Sequence, residues 1–347
     1  MKIKLLTAVM AASMGLAVFA SAQQQPKSNV TTTPQPSLQL STPGQLPPPK
    51  PISFPPPDPK NFTATLPTTE TVNAFLKSLW GYDPNRIWQV EAIQATKAPN
   101  ISRVIIFVGE QGSSQKPGET AFFVTPDQQH AIAGDQVVPF SADPNAADRA
   151  ALQQGANGPY RGASARKFLL VEFADLQCPH CKEAQATMDR LAQDFPNAHI
   201  VYENFPLSNV HPAAEKAAEY GVCVAELKGN DAFYKYIVAV FDAQASLTPE
   251  GTDQTLKDAA KKAGADEVAV ADCAKTTATK AAVDASVKLG NDVGVNQTPT
   301  LYINGRPVPI NAVPYNTLKQ IVTFEEIQAG AQPAAPSLQG KPTLGKP

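Results

Sequence analysis

Residues 171 to 182 read "VEFADLQCPHCK", placing two of the chain's four cysteines three positions apart, directly after an apolar run. The run "KFLLVEFAD" predicts a strand, and Pro179 suits the first turn of a helix because it has no N–H to lose. Cys178 is thereby expected at a helix start. Unpaired backbone N–H groups and the positive end of the macrodipole stabilise a thiolate there. His180, when protonated, adds a second stabilising charge, and Cys181, one turn further in, is the less exposed thiol. Such surroundings bring a cysteine pKa to about 3.5 to 7.5. A thiolate stabilised in this way favours the reduced form, so the matching disulfide oxidises other thiols.

Four chemistries compete for this pair. As zinc ligands, Cys178 and Cys181 are half a site, with neither a second CxxC nor a downstream His pair at finger-like spacing. As an inert staple they close too small a loop to stabilise much. His180 with two thiolates could start a copper site, but the neighbourhood offers no further Met or His. A redox pair at a helix start is the reading that uses every residue present.

The compartment decides whether disulfide chemistry can persist. Lys2 and Lys4 precede a small and apolar run from Leu5 to Phe19 and the exit Ala20-Ser21-Ala22. That order predicts a secretory signal peptide over 1–22, too short to span a membrane, with no cysteine at the cleavage point to carry a lipid. The chain is therefore expected to be periplasmic or otherwise exported and soluble, where disulfides survive. With a net charge of −2 and no basic cluster interleaved with aromatics, nucleic acid is not an expected partner. No metal or other cofactor is expected beyond the redox-active disulfide.

At 347 residues the chain has room for about two domains. Thirteen of its 33 prolines fall between Gln23 and Pro67, so residues 23–66 are expected to be a disordered linker. The stretch 330–347 resembles it in composition and is expected to be a tail. Val72, Phe75, Leu76, Leu79 and Trp80 lie on one helical face, and four strand-like runs follow, which predicts a small α+β domain over 67–141. His130, alone within it, reads as a structural or surface histidine. Residues 142–165 read as a connector with one short helix. From 166 to 329 the pattern is β-α-β, a helical insertion over about 211–290, then β-β-α, with Asn304-Gly305 as a hairpin turn. The fold class is α/β.

"FADLQCPHCK" followed by "GVNQTPTLYINGRPV" resembles the DsbA-like branch of the thioredoxin superfamily across 166–329. The resemblance implies a thioredoxin fold with a helical insertion, Cys178 as attacking and Cys181 as resolving cysteine, and Pro299 as a cis-proline beside them. It further implies that the Thr298 main chain pairs with an extended client strand. Glu172, six positions before Cys178, stands where buried acids of this superfamily move protons for the resolving thiol; burial would raise its pKa usefully, whereas an outward-facing strand Glu would do nothing. A lysine often found on the next strand is not evident in "HIVYENF". Cys223 and Cys273, an even pair in an exported chain, are expected to form a structural disulfide rather than to remain buried thiols.

Two directions of chemistry follow. The Pro-His dipeptide resembles oxidases that donate disulfides to exported client proteins and are recycled by a membrane or soluble redox partner. "FFVTPDQQHAIAGDQVV", with threonine before the cis-proline, resembles DsbC-like and DsbG-like isomerases, which implies a homodimer through the N-terminal domain. Oxidase leads and isomerase is second. A reading of another class is a non-catalytic exported binding module that keeps a thioredoxin-like shell.

Overall fold

The computed structural model of the chain describes residues 54–331. The expected signal peptide, the linker up to residue 53 and the tail from residue 332 lie outside the described residues. Two compact units divide the chain. Of the described residues, one holds those up to Val72 together with Asn85–Phe140, the other Asn73–Pro84 together with those from Ser141 onward. No helix among the described residues is long and apolar enough to cross a membrane.

Helix α1 (Thr69–Trp80) follows the predicted apolar stripe, but it does not belong wholly to the small domain expected over 67–141. Its last turn is tied to the second unit. The Arg306 guanidinium donates to the carbonyls of Ser78 and Leu79, two of the groups a helix C-terminus leaves without a partner. The first unit is an antiparallel meander of β1 (Arg86–Ala95), β2 (Ser102–Glu110), β3 (Gly118–Val124), β4 (His130–Ala133) and β5 (Gln136–Pro139), hydrogen-bonded in that order. Alternation places Val104, Ile106, Phe122 and Val124 in its core. His130 lies exposed against Asp127, 3.0 Å away, as a surface histidine should.

The second unit opens with α2 (Ala146–Gly155) and β6 (Tyr160–Gly162), both inside the stretch expected to be a connector. Then come β7 (Leu169–Ala174), α3 (Pro179–Asp194) and β8 (His199–Asn204). The helical insertion is α4 (Ala214–Lys228), α5 (Asn230–Asp242), α6 (Thr252–Lys262), α7 (Glu267–Cys273) and α8 (Thr277–Asp292). The chain closes with β9 (Thr300–Ile303), β10 (Arg306–Val308) and α9 (Tyr315–Gln328). The sheet runs β10-β9-β7-β8-β6, with β7 and β8 parallel and the other pairs antiparallel. Asn304 and Gly305 turn β9 into β10 with φ of 51° and 91°, the double positive φ of a tight hairpin.

Both faces of this sheet are covered, so every residue of β7 and β8 is buried, including the polar His199, Glu203 and Asn204. Leu170 and Ile200 meet Ala184, Met188 and Leu191 of α3 and Leu318 and Val322 of α9. Leu169, Val171 and Phe173 meet Leu152 of α2 and Leu289 of α8 on the other side. The insertion has a core of its own around Tyr220, Phe233, Tyr236 and Leu256, and this core runs without a break into Ala174, Cys178, Cys181 and Tyr202. The insertion thus forms one wall around the cysteine pair.

Cys223 and Cys273 form a disulfide that joins α4 to the end of α7, with Cα atoms 5.9 Å apart and a sequence separation of 50. Closing a loop of that length removes about 4 kcal/mol of conformational entropy from the unfolded chain. A Cys223→Ala/Cys273→Ala chain is accordingly expected to be less stable by about that amount in urea unfolding. A loss below about 1 kcal/mol would mean that the insertion's apolar core alone holds these helices.

Candidate active site

Cys178 is the N-cap of α3, in extended conformation, with Pro179 as the first helical residue. Its N–H donates to Asp175 O at 3.1 Å, and its carbonyl accepts from Cys181 N at 3.1 Å. The sulfur is nearly buried, and Cys181 is wholly so. Both are free thiols in this structure. The Cys178 Sγ donates to the carbonyl oxygen of Thr298 at 3.6 Å, and the Thr298–Pro299 peptide is cis. A residue 120 positions away is thus brought against the Cys178 sulfur by β9 pairing antiparallel with β7.

The two thiols are driven apart in acidity. The Cys181 thiol as hydrogen-bond donor brings Cys178 down to about 5; burial opposes this, and the Thr298 hydroxyl and the N–H groups of Cys181 and His180 reinforce it. Burial first, and then the bond it gives to Cys178, push Cys181 far above the ordinary thiol range. At neutral pH this favours a Cys178 thiolate that accepts from a protonated Cys181. Glu172 is buried on β7, and burial raises its carboxyl to about 7, against the pull of Arg161 and a 2.9 Å bond from Gln185 Nε2. A carboxyl in that range can both give and take a proton near pH 7.

A family model described as thioredoxin matches residues 155–323, the stretch that carries the CxxC helix and the cis-proline loop facing it. This stretch is a thioredoxin-superfamily domain. Among curated proteins, the Na(+)/H(+) antiporter NhaA 1 of Salinispora arenicola is 30% identical over 153 residues, 42% of this chain and 21% of that protein. NhaA 3 of Salinispora tropica is 26% identical over 197 residues, 54% of this chain and 26% of that protein. The chain therefore spans only about a fifth to a quarter of the length of these relatives. Among solved structures, Proteus mirabilis ScsC in a transitional conformation is 21% identical with a TM-score of 0.44, covering 53% of this chain and 79% of that one. The thiol-disulfide exchange protein alpha-DsbA2 of Wolbachia pipientis is 23% identical with a TM-score of 0.45, covering 52% and 96%. Oxidised BdbD of Bacillus subtilis gives 21% and 0.44, covering 48% and 92%.

Within the thioredoxin domain, the structure gathers Cys178, Pro179, Cys181 and the Thr298–Pro299 peptide at the start of α3, and places Glu172 beneath the next turn, bonded to Gln185. His180 is placed differently from its expected part. Its imidazole is 68% exposed and bonds Glu183 at 3.1 Å, which raises its pKa; attraction to Cys178 is the smaller cause. What reaches the Cys178 sulfur from His180 is chiefly its backbone N–H.

Several supporting residues escaped the sequence reading. Asp175 is buried beneath the helix start, accepting from Gln177 N at 2.7 Å, Leu207 N at 2.8 Å and His211 Nδ1 at 2.8 Å, while its own N–H donates to Cys181 Sγ at 3.4 Å. Gln244, just after α5, donates to the carbonyls of Leu176 and Cys178 at 3.0 and 3.1 Å. Gln177 answers in the other direction, donating to Leu247 O and accepting from Ala213 N. The loop carrying Cys178 is thereby latched to the helical insertion at both of its sides. The signal for Asp175 was its place three residues before Cys178; Gln244 gave none, because only the folded insertion brings it near.

Proposed function

We propose that this chain is an exported thiol:disulfide oxidoreductase that passes its Cys178–Cys181 disulfide to cysteines of client proteins, acting as an oxidase. The observation that carries the reading is the split between a stabilised Cys178 thiolate and a buried, protonated Cys181. A client thiolate attacks Cys178 Sγ of the disulfide. The bond to Cys181 breaks, and Cys181 leaves with the electron pair and takes a proton from Glu172. A second client thiolate then attacks the client sulfur of the mixed disulfide, and Cys178 departs as the thiolate that its surroundings favour. The client loses two electrons, the domain gains them, and a membrane or soluble redox partner must remove them for another cycle. Thr298 supplies main-chain groups to an extended client strand beside the sulfurs.

The reduction potential of the pair, set by equilibration against glutathione and read by thiol alkylation, tests this. A value toward about −120 mV is expected, because every group that holds Cys178 ionised stabilises the reduced state. A value below about −300 mV would make the pair an inert bridge and leave the binding-module reading in its place.

A further inference from the structure

The charge opposite Glu172 comes from an unexpected strand. On the α3 side of the sheet, Glu172 of β7 pairs with Tyr202 of β8, and Ile200, two residues before Tyr202, pairs with Arg161 of β6. Directly paired residues share a face, and so do residues two apart on one strand, so Glu172, Tyr202 and Arg161 lie together beneath α3. Above them, Cys181, Gln185 and Asp189 stand at i, i+4 and i+8, one row along the helix. The two rows interlock. Gln185 bonds Glu172 at 2.9 Å and the Cys181 carbonyl at 3.3 Å, and Asp189 bonds Arg161 Nη1 at 2.6 Å. Tyr234 of α5 closes the side, with the guanidinium 4.9 Å over its ring.

Polar atoms inside this chamber are left over. Arg161 Nε and Nη2 and the Tyr202 hydroxyl are buried without a hydrogen-bond partner among the described residues. Arg161 thus gives one edge to exposed Asp189 and turns two N–H groups inward. Buried donors without a protein acceptor are rare, and those that occur serve water, an ion or a functional acceptor. The groups that face Glu172 are Arg161 from β6, Tyr202 from β8, Gln185 and Asp189 from α3 and Tyr234 from α5, and the Tyr202 hydroxyl in turn faces Cys181 and Asp175. Arg161 is the one cation among them.

We propose that Arg161 is a positioning residue for proton exchange at Cys181, setting the charge state of Glu172 from the edge strand, with Asp189 as its counterweight. The inference rests on the proton role given to Glu172 above. When the Cys181 sulfur leaves with its electron pair, the proton moves from the Glu172 carboxyl to the sulfur, and the new carboxylate faces the Arg161 guanidinium. Solvent reprotonates Glu172 before the next cycle, and Arg161 keeps its protons throughout. The opposing pulls of Arg161 and Asp189 on the Glu172 proton agree with this arrangement.

The test is single-turnover oxidation of dithiothreitol by the oxidised full chain between about pH 5 and 9, each variant read as a ratio to the unmodified chain. Arg161→Gln is expected to move the Glu172 inflection to higher pH by about one unit, and Arg161→Lys to bring it back. Asp189→Asn, a charge change at a half-exposed site, is expected to move it to lower pH. In a Glu172→Gln background both shifts should vanish. Loss of packing around Arg161 could not produce shifts of opposite sign. Inflections that stay in place, or move in the same direction, overturn the proposal. If the oxidised chain does not oxidise dithiothreitol at all, the functional reading fails, but a second measurement, titration of the Glu172 carboxyl followed by its infrared C=O band with Glu172→Gln as the blank, still reports the two shifts. If Arg161→Gln does not fold, Asp189→Asn decides alone.

Discussion

A Cys178→Ala chain is expected to lose thiol–disulfide exchange by at least about a thousandfold, since removal of a nucleophile leaves only positioning behind. Cys181→Ala should behave differently: its Cys178 still attacks oxidised glutathione but holds it as a mixed disulfide, visible as an added glutathione mass. The asymmetry comes from place on the helix. Cys178 sits at the N-cap, where backbone N–H groups and the Cys181 thiol converge on its sulfur, whereas Cys181 lies one turn inside and is wholly buried. Iodoacetamide should therefore modify reduced Cys178 at a rate that rises with an inflection at about 5, and leave Cys181 untouched in the folded protein. Retention of more than about a tenth of the exchange rate in Cys178→Ala would remove the enzyme reading, because chemistry that survives loss of its nucleophile belongs elsewhere.

The cysteine pair and the late Thr-Pro were legible because their chemistry is local: a strand, a helix start and a proline announce themselves in a few adjacent residues. What the sequence hid is what only pairing at a distance creates. The edge strand β6 is three residues long and lies among glycines, too short for any periodic pattern to register. Its Gly162, at φ 84°, sits so close to the Ala198 carbonyl that a Cβ would collide with it, so the glycine that reads as a flexible connector is there for close packing. Arg161 was missed with it, and the chain's missing lysine on β8 therefore looked like an absent cation rather than one supplied from the next strand. Helix α1 shows the reverse error. Its stripe from Val72 to Trp80 was read correctly as helical, but periodicity cannot say which neighbour an apolar face will meet, and most of that helix belongs to the second unit.

The second large effect expected is on stability, and its dependence on pH separates the thiolate from every other group. Cys178 titrates near 5 in the folded reduced chain and near 9.0 when unperturbed. A folded value below the unfolded one contributes stability that is complete above the unfolded value and is lost as pH falls through the folded value. At about 1.4 kcal/mol per unit, the four units between them amount to about 5 kcal/mol above pH 9, about 3 kcal/mol at pH 7 and almost nothing below pH 5. The comparison that isolates this is the reduced chain against Cys178→Ser in urea, with reductant present, between about pH 5 and 8.5. Glu172 works in the opposite sense, because its raised value costs stability as pH rises from its usual 4.5 toward 7, but that cost is present in both chains and cancels in the difference. Cys181 stays out of the window, since it begins to ionise in the unfolded chain only near its ordinary value. The difference should grow steadily with pH; a flat difference would mean that Cys178 is an ordinary buried thiol. Because only the reduced form carries the thiolate, the same 3 kcal/mol or so at pH 7 makes the disulfide more oxidising by about 60 mV, so the stability slope and the reduction potential must rise or fail together.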